Sequence, residues 1–213
     1  RAAMKTVPHA PRHPVIEALA QHREVTDEAL DALFPHALAR VSAQHFTPVE
    51  VARRASEWLA PDASSRVLDV GAGVGRFCLV GALHTDGNFT GVEQRASLVT
   101  AAREVAREHS VARVTFVQGD IRDVDYGAFD GFYVFNPFAE HYLPPGERID
   151  DAVEWSQARF DADIAFLEAR LAERPAGTRV VTWNGFGGHL EHYACARREG
   201  YLGAVLEYLV RVA

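Results

Sequence analysis

The sequence is poor in cysteine, in long apolar runs and in positive charge. Its two cysteines, Cys78 and Cys195, lie far apart in a chain of 213 residues. That excludes a disulfide-stapled scaffold and a cysteine-rich metal site, and makes a reducing, cytoplasmic setting the expectation. No apolar run approaches the length of a membrane span and no secretory leader is read, so no membrane partner is expected. There is no internal repeat, low-complexity tract or clear linker. The formal net charge is −7, whereas a protein that grips nucleic acid through its phosphates usually carries a basic patch. A nucleic-acid partner is therefore not expected.

What is present suits one globular unit. Apolar residues make up 48% and charged residues 24%, enough for one substantial core at ordinary surface charge. Met4 reads as the native start, with Arg1 to Ala3 foreign to it. The acid is unevenly placed: residues 120 to 173 hold thirteen Asp and Glu against four Arg, while residues 1 to 60 balance seven against seven. An acidic segment beside an active site suits a cationic or amine substrate; otherwise it is a solvated helix face.

Residues 5 to 14, rich in Pro and His, read as a loose arm. Helical apolar spacing follows over Val15 to Gln21 and Asp27 to Val41. Thr47-Pro48-Val49-Glu50 has the form of a capping box, with Phe46 and Val51 placed as a hydrophobic staple, opening a helix to about Leu59. From Arg66 strands and helices alternate. Strands are expected at Arg66 to Val70, Asn88 to Val92, Arg113 to Gln118, Gly131 to Phe135 and Thr178 to Trp183. Helices are expected from about Gly75, over Ser97 to His109 and over residues 150 to 173, where Phe160, Ile164, Leu167 and Leu171 share a face and Trp155 joins the core. The stretch from His189 is expected to hold a short helix and a final strand or hairpin. Such alternation implies a parallel sheet covered on both faces.

The run Val67-Leu68-Asp69-Val70-Gly71-Ala72-Gly73-Val74-Gly75-Arg76 decides the class. A buried strand ends in a glycine turn that opens a helix, so backbone can approach a ligand at the helix N-terminus. A dinucleotide fingerprint, G-x-G-x-x-G, needs its third glycine where Arg76 stands; here Gly75 comes one residue early. With Asp69 two places before the first glycine, the run resembles motif I of class I S-adenosylmethionine-dependent methyltransferases. Gly91-Val92-Glu93 places an acid at the end of the second strand, 24 residues after Asp69. Gln118-Gly119-Asp120-Ile121 closes the third. Phe135-Asn136-Pro137-Phe138 ends the fourth and resembles the Asn/Asp-Pro-Pro-aromatic motif of amine-directed methyltransferases, with Phe138 in place of the second Pro and Ala139 in place of the aromatic. Upstream, Gln44-His45-Phe46-Thr47-Pro48 resembles the Phe-Thr-Pro element of N6-adenine DNA methylases, and also explains itself as a helix cap.

The resemblance implies a Rossmann-like α/β fold: a mostly parallel seven-stranded sheet with helices on both faces, residues 61 to 213, under an N-terminal helical cap, residues 1 to 60. It implies S-adenosylmethionine as cofactor and S-adenosylhomocysteine as product. Asp69, Gly71, Ala72 and Gly73 would hold the methionine side, Glu93 and Gln94 the ribose, Asp120 and Ile121 the adenine, and Phe46 and Thr47 would close over it. Asn136, Pro137 and Phe138 would face the methyl group, with Asn136 also touching cofactor and Glu140 or His141 nearby. The acceptor is expected to be a nitrogen on a protein side chain or small molecule, because an sp² amine needs acceptors on its N–H groups before its lone pair can attack. Two other classes stay open: a nicotinamide-dependent oxidoreductase, and a catalytically silent binding module on the same fold. No metal is expected. His189, His192 and Cys195 have helical spacing but lack a fourth ligand. Trp183 to Gly188 reads as a pocket wall or a surface loop.

Overall fold

A computed structural model describes residues 13–138, 148–150, 153 and 156–212. Met4, Ala139, Glu140, His141, Trp155 and most of the expected arm lie outside the described residues. The chain forms α1 (Pro14–Ala20), α2 (Asp27–Asp31), α3 (His36–Ala39), α4 (Ser42–His45), α5 (Val49–Leu59), β1 (Arg66–Val70), α6 (Arg76–His84), β2 (Asn88–Glu93), α7 (Ala96–Glu108), β3 (Val114–Gln118), β4 (Gly131–Val134), α8 (Gln157–Ala172), β5 (Arg179–Trp183), β6 (Tyr193–Tyr201) and β7 (Ala204–Arg211).

The strands make one seven-stranded sheet in the order β3-β2-β1-β4-β5-β7-β6. The first five are parallel, and β7 runs antiparallel to both β5 and β6. This is the expected Rossmann-like, mostly parallel sheet. The central strands are apolar on both faces because both are covered. Val67, Tyr133, Val181 and Trp183 join one core cluster with α1, α5, α6 and α7. Their strand neighbours Leu68, Val70, Phe132, Val134 and Val180 join another with α8. Among the described residues no helix is long and apolar enough to cross a membrane.

Chain order reverses between β1 and β4: β2 and β3 build outward on one side, β5 on the other. In an open α/β sheet a ligand crevice forms at such a switch point, outside the carboxyl ends of the strands.

Four local expectations need correction. The helix over Asp27 to Val41 is broken, because Pro35 cannot continue it and becomes the N-cap of α3. The long helix starts at Gln157 rather than 150, where the Ser156 side chain accepts the Arg159 N–H. After β5 there is no helix among the described residues; β6 and β7 form a hairpin closed by Leu202 and Gly203, both at positive φ. Cys195 therefore lies on a strand, and the helical stripe of His189, His192 and Cys195 does not exist. No metal-ligating cluster occurs among the described residues.

The fourth correction concerns Thr47. It does not cap α5: Pro48 is the N-cap, and no side chain of the cap residue takes a helix N–H. The Val49 N–H donates instead to Asp27 Oδ1 at 2.7 Å, across 22 residues, while the Thr47 hydroxyl pairs with the Tyr133 hydroxyl at 3.1 Å. Asp27 also pairs with Arg76. Asp27→Ala is therefore expected to lower stability by about 2–3 kcal/mol, through loss of a cap and of a carboxylate on a buried guanidinium. Thr47→Val should cost about 1 kcal/mol. Urea denaturation of the two variants tests this order, and the reverse order would restore Thr47 as the cap.

Candidate functional site

β1 delivers Asp69 and then turns at Gly71, Ala72 and Gly73. The Gly71 and Ala72 N–H groups donate to the Val92 carbonyl of β2, at 3.1 and 2.9 Å. Gly71 has φ +77, and a Cβ there would sit 2.9 Å from Pro137 Cβ. The glycine turn and the end of β4 are thus in contact only because position 71 has no side chain. Asn136, at φ +40, bends the chain just before that contact; asparagine tolerates the left-handed region better than most residues.

A cavity of about 210 Å³ opens at this switch point, lined by Gln44, His45, Phe46, Gly71, Gly73, Glu93, Arg95, Phe135, Asn136, Pro137 and Ile149. Two smaller cavities, or lobes, adjoin it, sharing wall residues with it. One, about 30 Å³, is bordered by Glu93, Gln94, Gly119, Ile121, Pro137 and Phe138. The other, about 20 Å³, is bordered by Phe46, Thr47, Asp69, Gly71, Ala72, Arg76 and Phe77. Gly71 borders all three. A larger groove of about 590 Å³ lies at the opposite, amino ends of the strands. Two of the charged groups there, Arg66 and Asp130, are already paired at 3.1 Å, and no sequence motif falls in it.

Glu93 is 8% exposed. Its Oε2 accepts the Gly73 N–H at 3.1 Å and its Oε1 the Arg95 N–H at 2.9 Å. These bonds hold the carboxylate at the cavity wall and leave lone pairs for hydroxyl donors. Asp69 is 4% exposed. Burial pushes its carboxyl up to about 7; the Cys78 thiol, donating at 3.6 Å, works against the rise, and the Glu93 charge adds to it. Burial also pushes up the Cys78 thiol and the Tyr133 hydroxyl. Burial dominates the Asp69 shift and no cation contributes to it among the described residues; Arg76, on the wall of the same lobe, is paired with Asp27 and Asp31 instead.

The structure gathers Phe46, Thr47, Asp69, Gly71, Ala72, Gly73, Glu93, Gln94, Ile121, Asn136, Pro137 and Phe138 around one crevice. It does not bring Asp120 there. The Asp120 carboxylate accepts the Arg122 N–H at 3.0 Å and the Arg159 guanidinium at 2.6 Å. Burial raises its pKa, but those donors outweigh it and hold the group below its ordinary value. Arg122 and Arg159 also pair with Asp163, so these acids of the 120 to 173 segment dock α8 rather than face a ligand. Residues 184 to 188 border none of the three cavities; Phe186 is buried against α8 and Gly187 lies against Phe160. Sequence reasoning missed Arg76, Arg95 and Phe135 as lining residues. Arg76 registered only as the residue displacing a glycine, and Arg95 stands two residues after Glu93, its Nε donating to Asp150 at 3.0 Å.

Known proteins bear on this crevice. A family described as a methyltransferase domain matches residues 61–181. A curated relative, the 23S rRNA (uracil(1939)-C(5))-methyltransferase RlmD of Shewanella sp. (strain ANA-3), is 34% identical over 108 residues, 51% of this chain but 23% of its own length. The chain thus spans under a quarter of that relative. Among solved structures, an RNA methyltransferase from Salinibacter ruber in complex with S-adenosyl-L-homocysteine aligns with TM-score 0.58 at 22% identity, over 78% of this chain and 93% of that one. The magnesium protoporphyrin IX methyltransferase of Synechocystis with bound SAM aligns with TM-score 0.54 at 14% identity, over 88% and 85%. Both show a shared fold.

Proposed function

Since the chain belongs to the methyltransferase-domain family, we propose that it transfers a methyl group from S-adenosylmethionine to a nitrogen atom. The family sets aside the nicotinamide alternative. The observation that carries the reading is the crevice at the switch point, where Asp69, the glycine turn, Glu93 and Asn136 line three adjoining cavities that share Gly71. Their chemistry fits the cofactor: a buried carboxyl suits an ammonium, a carboxylate with spare lone pairs suits a ribose diol, and Gly71 and Gly73 leave the backbone bare.

When bound, the cofactor supplies an electrophilic methyl group on a sulfonium. In this reading Asp69 takes the amino group of the methionine end, and Glu93 with Gln94 holds the ribose. Ile121 and Phe138 border the adenine lobe, and Asp120 acts at a distance, by fixing α8. Phe46 and Thr47, held beside the lobe, close the N-terminal helices over the methionine end. Asn136 presents its side-chain oxygen and Pro137 its carbonyl to the acceptor N–H groups, so that the lone pair is aimed rather than averaged.

Nitrogen is favoured over carbon by the cysteines. Carbon 5 of a uracil attacks an electrophile readily only after a nucleophile, typically a thiolate, adds to the ring. Cys78 is buried, its thiol given to Asp69, and Cys195 lies on β6, separated from β5 by β7. Neither serves the Asn136 end of the crevice. The acceptor nitrogen belongs in the first reading to a protein side chain or small molecule. A second reading, an RNA base, is favoured by the RNA activities named for the relatives, and reopens a partner that the acidic composition set aside.

Calorimetric titration of the folded protein with S-adenosylmethionine and S-adenosylhomocysteine tests the cofactor. Micromolar binding is expected, with Glu93→Ala at least tenfold weaker, since a hydrogen bond to a charged group contributes about 1.5–3 kcal/mol. Folded protein that binds neither compound overturns the reading. Binding without turnover on any amine or RNA acceptor, indifferent to Asn136→Ala, would identify a silent module.

A further inference from the structure

Resting on that cofactor reading, we propose that Arg76 receives the carboxylate of the cofactor's methionine end, through its Nε–H. Arg76 is the first residue of α6 and is 2% exposed. Three of its contacts are accounted for: Nη1 donates to Ser42 Oγ at 2.5 Å and lies 3.3 Å from Asp31, and Nη2 pairs with Asp27. Nε is buried and has no hydrogen-bond partner among the described residues. A buried donor left unmatched is destabilising, and an incoming oxygen removes that cost.

The surroundings specify that oxygen. Arg76 borders the same small lobe as Asp69, Gly71, Ala72 and Phe77. α6 is nine residues long and opens without a side-chain cap, so its first N–H groups and its dipole favour negative charge near its first residue, Arg76. Across the lobe is Asp69, which suits positive charge. A group that is cationic at one end and anionic at the other, a free α-amino acid, satisfies both walls. Asp27 and Asp31 already offset the guanidinium charge, so Arg76 contributes a directed donor more than a field. By holding α2 and α4 as well, it also sets Phe46 and Thr47 beside the ligand it reads.

The test compares S-adenosylhomocysteine with 5′-methylthioadenosine, which keeps the nucleoside and thioether but lacks the amino acid. Calorimetry on wild type, Arg76→Lys and Arg76→Gln should show S-adenosylhomocysteine weakened at least tenfold and 5′-methylthioadenosine changed by less than about twofold. Asp31→Asn, which keeps Arg76 and removes a competing carboxylate, should bind S-adenosylhomocysteine more tightly than wild type and leave 5′-methylthioadenosine unchanged; if the Arg76 variants fail to fold, unchanged binding of both ligands by Asp31→Asn overturns the proposal. Equal losses for both ligands in the Arg76 variants, or in Asp31→Asn, would make Arg76 a scaffold residue and overturn the proposal. Wild type that binds neither ligand would instead bring down the cofactor reading beneath it.

Discussion

Asp69→Asn is expected to stabilise the ligand-free protein at pH 8 by about 4 kcal/mol, roughly 10 °C in melting temperature, while weakening its hold on S-adenosylmethionine. The cause is the buried carboxyl, raised from 3.8 to about 7. Between those values the folded protein keeps a proton that the unfolded chain has released. Stability is then highest at or below the ordinary carboxylate pKa, falls as pH rises toward 7, and stays low above it. The neutral asparagine has no such slope. The ligand reverses the penalty: an ammonium against Asp69 favours the charged form, so binding below pH 7 expels a proton. Affinity should rise about tenfold per unit up to pH 7 and flatten above it. The Cys78 thiol and the Tyr133 hydroxyl do not titrate there, since burial pushes both upward. Thermal melts and titrations at several pH values, for wild type and Asp69→Asn, decide it. Parallel pH profiles in the two proteins would show that Asp69 is not the group concerned.

How far the sequence reached depends on the range of the interaction. Strands β1, β2, β4 and β5 were legible to within a residue because buried parallel strands are short apolar runs, and each of the first two is punctuated by glycine or an acid at its end. The crevice residues followed from those strand ends. The cap on α5 was not legible: Thr47-Pro48-Val49-Glu50 is a sound local signal, but Asp27 arrives from 22 residues away and takes the Val49 N–H. Asp120 failed similarly. Its position at the end of β3 fits an adenine contact, yet the two arginines that hold its carboxylate include one from α8. The terminal hairpin was expected as one of two endings, but its first strand, β6, was obscured for another reason. Ala194, Arg197, Arg198 and Glu199 favour helices in isolation, and Leu202-Gly203 is a weak turn signal beside Asn-Gly. Pairing with β7 overrides both. Arg76 was missed because a pattern records it as the absence of glycine.

That same position 75–76 step, which separates this turn from a dinucleotide fingerprint, has a mechanical reason in the fold. Gly75 has φ +78 and is the N-cap of α6. A Cβ there would lie 2.3 Å from the Phe116 ring of β3 and 3.2 Å from Ala102 of α7. The glycine lets the start of α6 approach two elements at once, and no rotamer of a neighbour relieves a backbone in the left-handed region. Gly75→Ala is expected to cost about 1–2 kcal/mol for that conformation and about 1–3 kcal/mol for overpacking. The sum corresponds to a melting temperature lower by roughly 10 °C. The two parts separate in a double mutant: Phe116→Leu added to Gly75→Ala should recover the overpacking and leave the conformational cost, giving a coupling of about 1–2 kcal/mol between the positions. Additive effects would show that Phe116 does not press on the turn. A melting temperature unchanged by Gly75→Ala would deny the left-handed cap itself, and with it the geometry that points Arg76 and the first turn of α6 at the crevice.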